Sequence, residues 1–162
     1  MTLNELRLES FRNYGDCSFT FDPGVNLILG DNAQGKTNLL EAIAFLGSGK
    51  SFRAQRTAEL IRFGDHCAQL EGKVFSQERE QSLRWVLFSG NKQRQLWRSG
   101  VKKKCAGDIA GVLPAVLFCP EDLMVLKAGS SQRRRLADSV LCQLRPNYDA
   151  AATEYNLSLI HI

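Results

Sequence analysis

Residues Gly30-Asp31-Asn32-Ala33-Gln34-Gly35-Lys36-Thr37 match G-x-x-x-x-G-K-[ST] at every specified position, and no other stretch limits the fold as tightly. A loop of this pattern curls backbone N–H groups around phosphates, sends its Lys ammonium to the β and γ phosphates, and sets its Thr hydroxyl on Mg²⁺. The chemistry needs a strand before the loop and a helix after it, because the helix N-terminus adds partial positive charge beneath the phosphates. Both are predicted here. Val25-Asn26-Leu27-Ile28-Leu29 is a β-branched, apolar run suited to a buried strand. Leu39, Leu40, Ile43 and Leu46 then repeat at helical spacing, and Gly47 supplies a stop.

Two strands are expected before the loop. Leu6 and Leu8 alternate with Arg7 and Glu9, and Cys17, Phe19 and Phe21 alternate with Ser18 and Thr20. Between them Phe11-Arg12-Asn13-Tyr14-Gly15 forms a polar-aromatic connection. After the loop helix, Gly47-Ser48-Gly49-Lys50-Ser51 ends in G-K-S but has Ala44 where a second phosphate loop would need Gly, so Lys50 and Arg53 read as surface cations. From His66 the period becomes two. Ala68, Leu70, Gly72 and Val74 share one face, Leu83, Trp85 and Leu87 repeat it, and Gln93 to Arg98 adds a further strand of an antiparallel meander. Trp85 and Trp97 suit base stacking, but a strand aromatic is more often core.

Lys102, Lys103 and Lys104 follow a Gly-containing turn and read as a solvated loop, with contact to a phosphate backbone as the sharper alternative. Ala115-Val116-Leu117-Phe118-Cys119 has the pattern of a buried strand, and Glu121-Asp122 suits a helix N-terminus. A longer helix is expected from Ser130 or Ser131 to Pro146, its apolar face formed by Leu136, Val140, Leu141 and Leu144. Arg133, Arg134 and Arg135 fall in its first turn, where cations oppose the helix dipole. A last helix is expected from Pro146 through Tyr155, and the residues after Asn156 abandon its pattern.

The chain has 162 residues, 44% hydrophobic and 23% charged, which is enough for one domain with a sizeable core. Its formal charge of +4 is a weak pointer to nucleic acid. Five scattered cysteines without a C-x-x-C argue against a disulfide framework or a zinc site, and two histidines give no support to a histidine triad or multi-histidine metal site. No apolar run approaches a membrane span, and the N-terminus carries no signal pattern, so the expected setting is cytoplasmic with no membrane partner.

Hydrolysis normally also needs a carboxylate ending a second apolar strand. The nearest stretch, Val116 through Cys119 followed by Pro120-Glu121-Asp122, is a poor match because proline intervenes. A GTPase is disfavoured, since Asn91-Lys92-Gln93-Arg94 has Arg where the guanine-reading Asp belongs. A self-contained small-molecule kinase and an inactive DNA-binding fragment stay open as alternatives.

The order of elements suggests a cassette-type ATPase, and particular segments narrow the choice. Phe11-Arg12-Asn13-Tyr14, the loop continuing through Asn38-Leu39-Leu40-Glu41-Ala42-Ile43, and Leu46-Gly47-Ser48-Gly49-Lys50-Ser51-Phe52-Arg53 resemble the RecF family of bacterial recombination and repair proteins, of the SMC/ABC ATPase type. Val116 through Leu123 and Gly129 through Asp138 continue the resemblance, which runs from about Leu3 to Tyr155. It implies a truncated α/β ABC-type P-loop ATPase lobe with a mixed sheet, an antiparallel β-meander and flanking helices. Residues 1–156 would be the N-terminal part of this ATP-binding domain, and 157–162 a tail foreign to the family.

The resemblance also implies ATP and Mg²⁺ as cofactors and an ATP-dependent homodimer. It implies single-stranded, gapped or junction DNA as ligand, RecO and RecR as partners, and RecA as the recombinase loaded, in recombinational repair, replication restart and SOS induction. The ATP-binding residues would be Gly30, Asp31, Asn32, Ala33, Gln34, Gly35, Lys36 and Thr37, with Arg12 and Asn13 approaching the nucleotide and Thr37 holding Mg²⁺. Lys102, Lys103, Lys104, Arg133, Arg134 and Arg135 are the candidates for DNA contact. No catalytic residue is assigned. The signature motif and Walker B carboxylates of the family would follow Tyr155, so the family's slow hydrolysis is not expected of this chain by itself. Glu121 falls near the family's Mg²⁺-sensing Gln.

Overall fold

The computed structural model describes residues 1–118, 129–145 and 147–160. Strands β1 (Thr2–Phe11), β2 (Tyr14–Thr20), β3 (Cys67–Ser76), β4 (Arg79–Phe88), β5 (Gln95–Arg98) and β6 (Val101–Lys103) form one sheet in the order β2-β1-β3-β4-β5-β6. All the described pairings are antiparallel. Helix α1 (Lys36–Ser48) crosses one face, and α2 (Ser130–Leu144) and α3 (Tyr148–Ile160) follow in chain order.

The alternating pattern puts Leu6 and Leu8 of β1, Leu70 and Val74 of β3, and Leu83, Trp85 and Leu87 of β4 on the covered face, all buried. Cross-strand register aligns Leu8 with Leu70 and Leu70 with Trp85, so a continuous apolar row meets α1. Helix α1 answers with Leu39, Ala42, Phe45 and Leu46. Each fully buried large side chain contributes about 1.5–3 kcal/mol. The Trp85 indole packs edge-on to Phe45 at 5.4 Å between centroids and donates to the Leu46 carbonyl at 3.1 Å. Burial and hydrogen bonding therefore fix α1 on the sheet together.

Beyond the sheet, a 3-10 turn (Ala106–Ile109) and the following residues bring buried Ile109, Val112 and Leu113 under the end of α1. The approach is close: a Cβ added at Gly47 would lie 2.1 Å from the Leu113 carbonyl oxygen. Asp149 at the start of α3 pairs with Lys50 at 3.1 Å, which ties that helix to the C-terminal end of α1.

Five local expectations are corrected. Residues 25–29 form no strand, and Val25, Leu27 and Leu29 are exposed at 96%, 78% and 79%. Such a run is built to lie between neighbouring strands, and no described strand pairs with it. The same holds for residues 115–118, where Val116 and Phe118 are exposed. Helix α2 forms where expected, yet Leu136, Val140, Leu141 and Leu144 face solvent, so periodicity gave the helix without its cover. On α1 the buried stripe is rotated: Leu40 is exposed, and Glu41 takes a core position. The expected loop at Lys102 and Lys103 is strand β6, because Ser99 and Gly100 both adopt positive φ and close a tight hairpin with β5. The remaining expectations at Cys119, Pro120, Glu121, Asp122 and Pro146 fall outside the described residues.

Candidate nucleotide site

The phosphate loop leads into α1, whose first residue is Lys36. Gly35, at φ 103°, occupies the backbone region that disfavours a side chain, and a Cβ there would also meet the Asn13 amide at 2.6 Å. The preceding turn of the loop holds Ala33 at φ 65°. The Lys36 ammonium donates to the Gly30 and Asp31 carbonyls, both at 2.6 Å, and so rests on the loop it belongs to. Among the described residues no side chain caps the start of α1, and its first turn carries no acidic residue. The uncapped N–H groups of that turn are donors of the kind a phosphate takes.

The connection between β1 and β2 is a two-residue hairpin turn. Phe11 pairs with Tyr14 across it, and Arg12 adopts φ 54°, held by its backbone N–H donating to the Leu60 carbonyl at 2.8 Å. The hairpin tip lies on the phosphate loop. Asn13 Nδ2 donates to the Gln34 carbonyl at 3.2 Å, and the Tyr14 hydroxyl donates to the Gly35 carbonyl at 3.1 Å. Arg12 and Asn13, expected near the nucleotide, are thus brought to the loop.

Glu41 organises what lies beside them. Its carboxylate is fully buried and takes both arms of the Arg12 guanidinium at 2.9 Å, Arg53 Nη2 at 2.7 Å and the Ser51 hydroxyl at 2.5 Å. Burial pushes this carboxyl upward, but the hydrogen bonds from Arg12, Arg53 and Ser51 outweigh it and hold it below the ordinary carboxylate range. Two guanidiniums share this one buried carboxylate, and Glu59 adds a second carboxylate to the cleft beside them. Arg53 Nη2 also donates to Asn38 Oδ1 at 2.6 Å, and Asn38 Nδ2 to Asn13 Oδ1 at 2.7 Å. A polar chain therefore runs from the buried carboxylate to the phosphate loop.

This network walls a cleft of about 600 Å³ lined by Arg12, Asn13, Asn38, Arg53, Glu59, Ile61 and Phe63. The sequence pattern does not mark Glu41 as a site residue, and Arg53, expected as a surface cation, is instead bonded to that buried carboxylate. The available signal was Glu41 itself, a carboxylate four residues before the core Phe45 and hence on the helix face that is otherwise apolar.

The basic candidates for DNA lie elsewhere. Lys102 sits on the outer face of β6, with its ammonium 5.8 Å from the centre of the Trp97 ring; Arg84 covers the same ring at 4.3 Å. Lys103 ends β6, and the Lys104 backbone N–H bonds to Asp108 at 2.9 Å. The sheet order puts β6 at the edge opposite the β1–β2 hairpin. Arg133, Arg134 and Arg135 are exposed in the first turns of α2. Of the two tryptophans, Trp85 is core and Trp97 is half-buried on the opposite face.

Residues 2–104 match the family described as the RecF/RecN/SMC N-terminal domain, which is more than half of the chain. The chain belongs to that family. Among its curated relatives, the DNA replication and repair protein RecF of Lactobacillus delbrueckii subsp. bulgaricus is 39% identical over 155 residues, covering 96% of this chain and 40% of the relative. RecF of Streptococcus uberis is 40% identical over 159 residues, covering 98% of this chain and 43% of the relative. The chain thus spans about two fifths of the length of these relatives.

The solved structure of the recombination mediator protein RecF-ATPrS in the RecFOR pathway superposes with TM-score 0.93 at 36% identity, covering 99% of this chain and 43% of that one. RecF-ATP from the same pathway gives 0.91 at 36% identity, with 98% and 43% covered. A more distant structure, from work on ATP-driven dimerization of SMC ATPases, shares the fold with TM-score 0.68 at 22% identity over 85% of this chain and 98% of that one. These likenesses bear out the expected cassette-type α/β lobe. Among the described residues no helix is long and apolar enough to cross a membrane.

Proposed function

We propose that this chain is the ATP-binding N-terminal portion of a RecF-type protein, an ATP-dependent DNA-binding protein of recombinational repair in the cytoplasm. The clamp of Asn13 and Tyr14 on the phosphate loop carries the reading, because it sets a polar hairpin beside the uncapped start of α1. RecF relatives, two of them solved as RecF-ATP and RecF-ATPrS, supply the ligand.

The residues present fit ATP with Mg²⁺. The Lys36 ammonium exchanges two neutral carbonyl acceptors for charged phosphate oxygens, a stronger class of hydrogen bond. The backbone from Asn32 to Gly35 cradles the phosphates, and the Thr37 hydroxyl holds the ion. Mg²⁺ bound there neutralises charge on the β and γ phosphates. Arg12, fixed by Glu41, keeps a cation beside the loop without having to be ordered when ligand arrives.

In the longer protein, ATP would join two copies, and the dimer would bind single-stranded, gapped or junction DNA and act with RecO and RecR to load RecA. Lys102 on the outer sheet face and the Arg133, Arg134 and Arg135 turn are the candidate phosphate contacts. Calorimetric titration with ATP and Mg²⁺ tests the reading: wild type binds, Lys36→Ala loses binding, and neither turns ATP over. Turnover abolished by Lys36→Ala would overturn the division of labour between this chain and the rest of the protein. Equal ATP affinity in both would overturn the site.

A further inference from the structure

Helix α1 packs on one face of the sheet, whereas on the other face the alternate residues of β1, β3 and β4 stay half-buried or exposed. Charge is divided unevenly over that open face. Toward β1 and β2 it is self-compensated: Lys73 pairs with Glu5 at 2.8 Å, and Arg7 with both Glu9 and Asp16 at 3.1 Å. Toward β5 and β6 it is not. Arg84, Trp97 and Lys102 stand in one cross-strand row, and Lys92 lies in the connection from β4 to β5. Among the described residues none of these three cations forms an ion pair. The nearby acids belong to the other side. Glu71, opposite Arg84 in register, has Arg7 as its other neighbour, and Glu80 lies toward the far end of β4.

The cations turn to aromatic rings instead. Arg84 lies 4.3 Å from the centre of the Trp97 ring and Lys92 4.0 Å from that of Phe88, with Lys102 5.8 Å from Trp97. The ring face that each cation covers is closed to a stacking base, while the charge stays at the surface. Val86 shares the strand face of Arg84 and Phe88 and adds an apolar strip between the two pairs. Strand β6 ends the sheet. Because Val101 pairs with Arg98 across the turn, the alternation of an antiparallel ladder points the Lys102 backbone N–H and C=O outward. A second copy docked edge to edge would bring Lys102 and Lys103 against their like, so the edge rejects itself and accepts an anionic strand.

We propose that the β4–β6 end of the open face is a docking surface for an acidic polypeptide segment in extended conformation. Its carboxylates meet Arg84, Lys92 and Lys102, and its apolar side chains lie along Val86. Neighbouring strands are about 4.8 Å apart, so Arg84 and Lys102 stand about 10 Å from each other, a distance that about three extended residues span. A phosphate backbone offers such a surface charge alone. A polypeptide also offers apolar side chains for the strip and N–H and C=O groups for the open edge. This interface goes beyond the nucleotide reading and does not depend on it.

Fluorescence anisotropy of fluorescein-labelled deca-glutamate titrated with the whole chain tests the surface, with deca-lysine and deca-thymidylate as comparisons. Deca-glutamate should bind and deca-lysine should not. Lys92→Gln and Lys102→Gln should each weaken deca-glutamate binding by about 1.5- to 5-fold, and together by about 2- to 25-fold. Both side chains are exposed, so these variants should melt within about 2 °C of wild type. Arg79→Gln, which removes an exposed cation from the far end of β4, should leave the affinity unchanged. No binding of deca-glutamate, or a double variant that binds like wild type, overturns the surface. An equal loss in Arg79→Gln also overturns it, by showing attraction to overall charge. Deca-thymidylate that binds more tightly than deca-glutamate and is weakened by the same variants overturns the polypeptide and gives the face to nucleic acid.

Discussion

Glu41→Gln removes one charge from a carboxylate that accepts from Arg12 Nε, Arg12 Nη2, Ser51 Oγ and Arg53 Nη2. The substitution keeps shape and volume, so packing alone predicts almost no effect. The chemistry predicts otherwise. A carboxamide has one acceptor oxygen where the carboxylate has two, so one arm of the Arg12 fork must face an N–H₂ group. The two guanidiniums then share a site without a counter-charge. Breaking a buried pair by removing one partner costs about 3–5 kcal/mol. Arg53 is 40% exposed and solvent screens part of its charge, so the lower end, about 3 kcal/mol, is the expected cost. For a chain of this size that lowers the melting temperature by about 6–12 °C.

Differential scanning calorimetry at neutral pH measures it, and a Gln variant melting within about 3 °C of wild type would refute the charge-pairing account. The pH dependence adds an independent check. The folded-state carboxyl is depressed, so its stabilisation is complete above the unfolded value of about 4.3 and is lost as pH falls through the lower folded value. The gap between wild type and Glu41→Gln should therefore be constant from pH 7 to about pH 5 and close below about pH 4.

Lys36→Ala removes a half-buried side chain that, among the described residues, bonds only to loop carbonyls, so its melting temperature should lie within about 2 °C of wild type while ATP binding is lost. Gly47→Ala places a methyl against the Leu113 carbonyl, which is backbone and cannot swing aside; urea denaturation should show a loss of about 1–3 kcal/mol or more. If Lys102 contacts DNA phosphate, Lys102→Ala in the full-length protein should reduce the slope of log affinity against log salt by about one, and an unchanged slope would remove it from the interface. Arg84→Ala should expose the Trp97 ring, measurable as a red shift in tryptophan emission, whereas buried Trp85 provides a constant background.

The alternation of Leu6 and Leu8, and of Leu70, Gly72 and Val74, was enough to place β1 and β3 on their faces, because a period of two with one buried side admits one register. The phosphate loop and its helix were legible for a similar reason: Gly30, Gly35, Lys36 and Thr37 each meet a separate requirement of one ligand. The partner network was not legible. Arg53 lies 12 residues from Glu41 and Arg12 lies 29 away, and only the crossing of the hairpin tip over α1 brings them to one carboxylate. Residues 25–29 mark the opposite limit. Their composition is that of a strand buried between neighbours, but a strand exists only where another chain segment completes its hydrogen bonds.

That unpaired run ends at Leu29, and the next residue, Gly30, opens the phosphate loop and accepts from Lys36. A segment that paired with residues 25–29 would fix one end of the loop and would thereby couple strand pairing to ligand binding. Thermodynamic reciprocity then requires that whatever factor strand pairing adds to nucleotide affinity, nucleotide adds to strand pairing. A ligand in the loop would act as an assembly signal for the neighbouring sheet, readable as nucleotide-dependent protection of the Asn26 to Leu29 amides from hydrogen exchange.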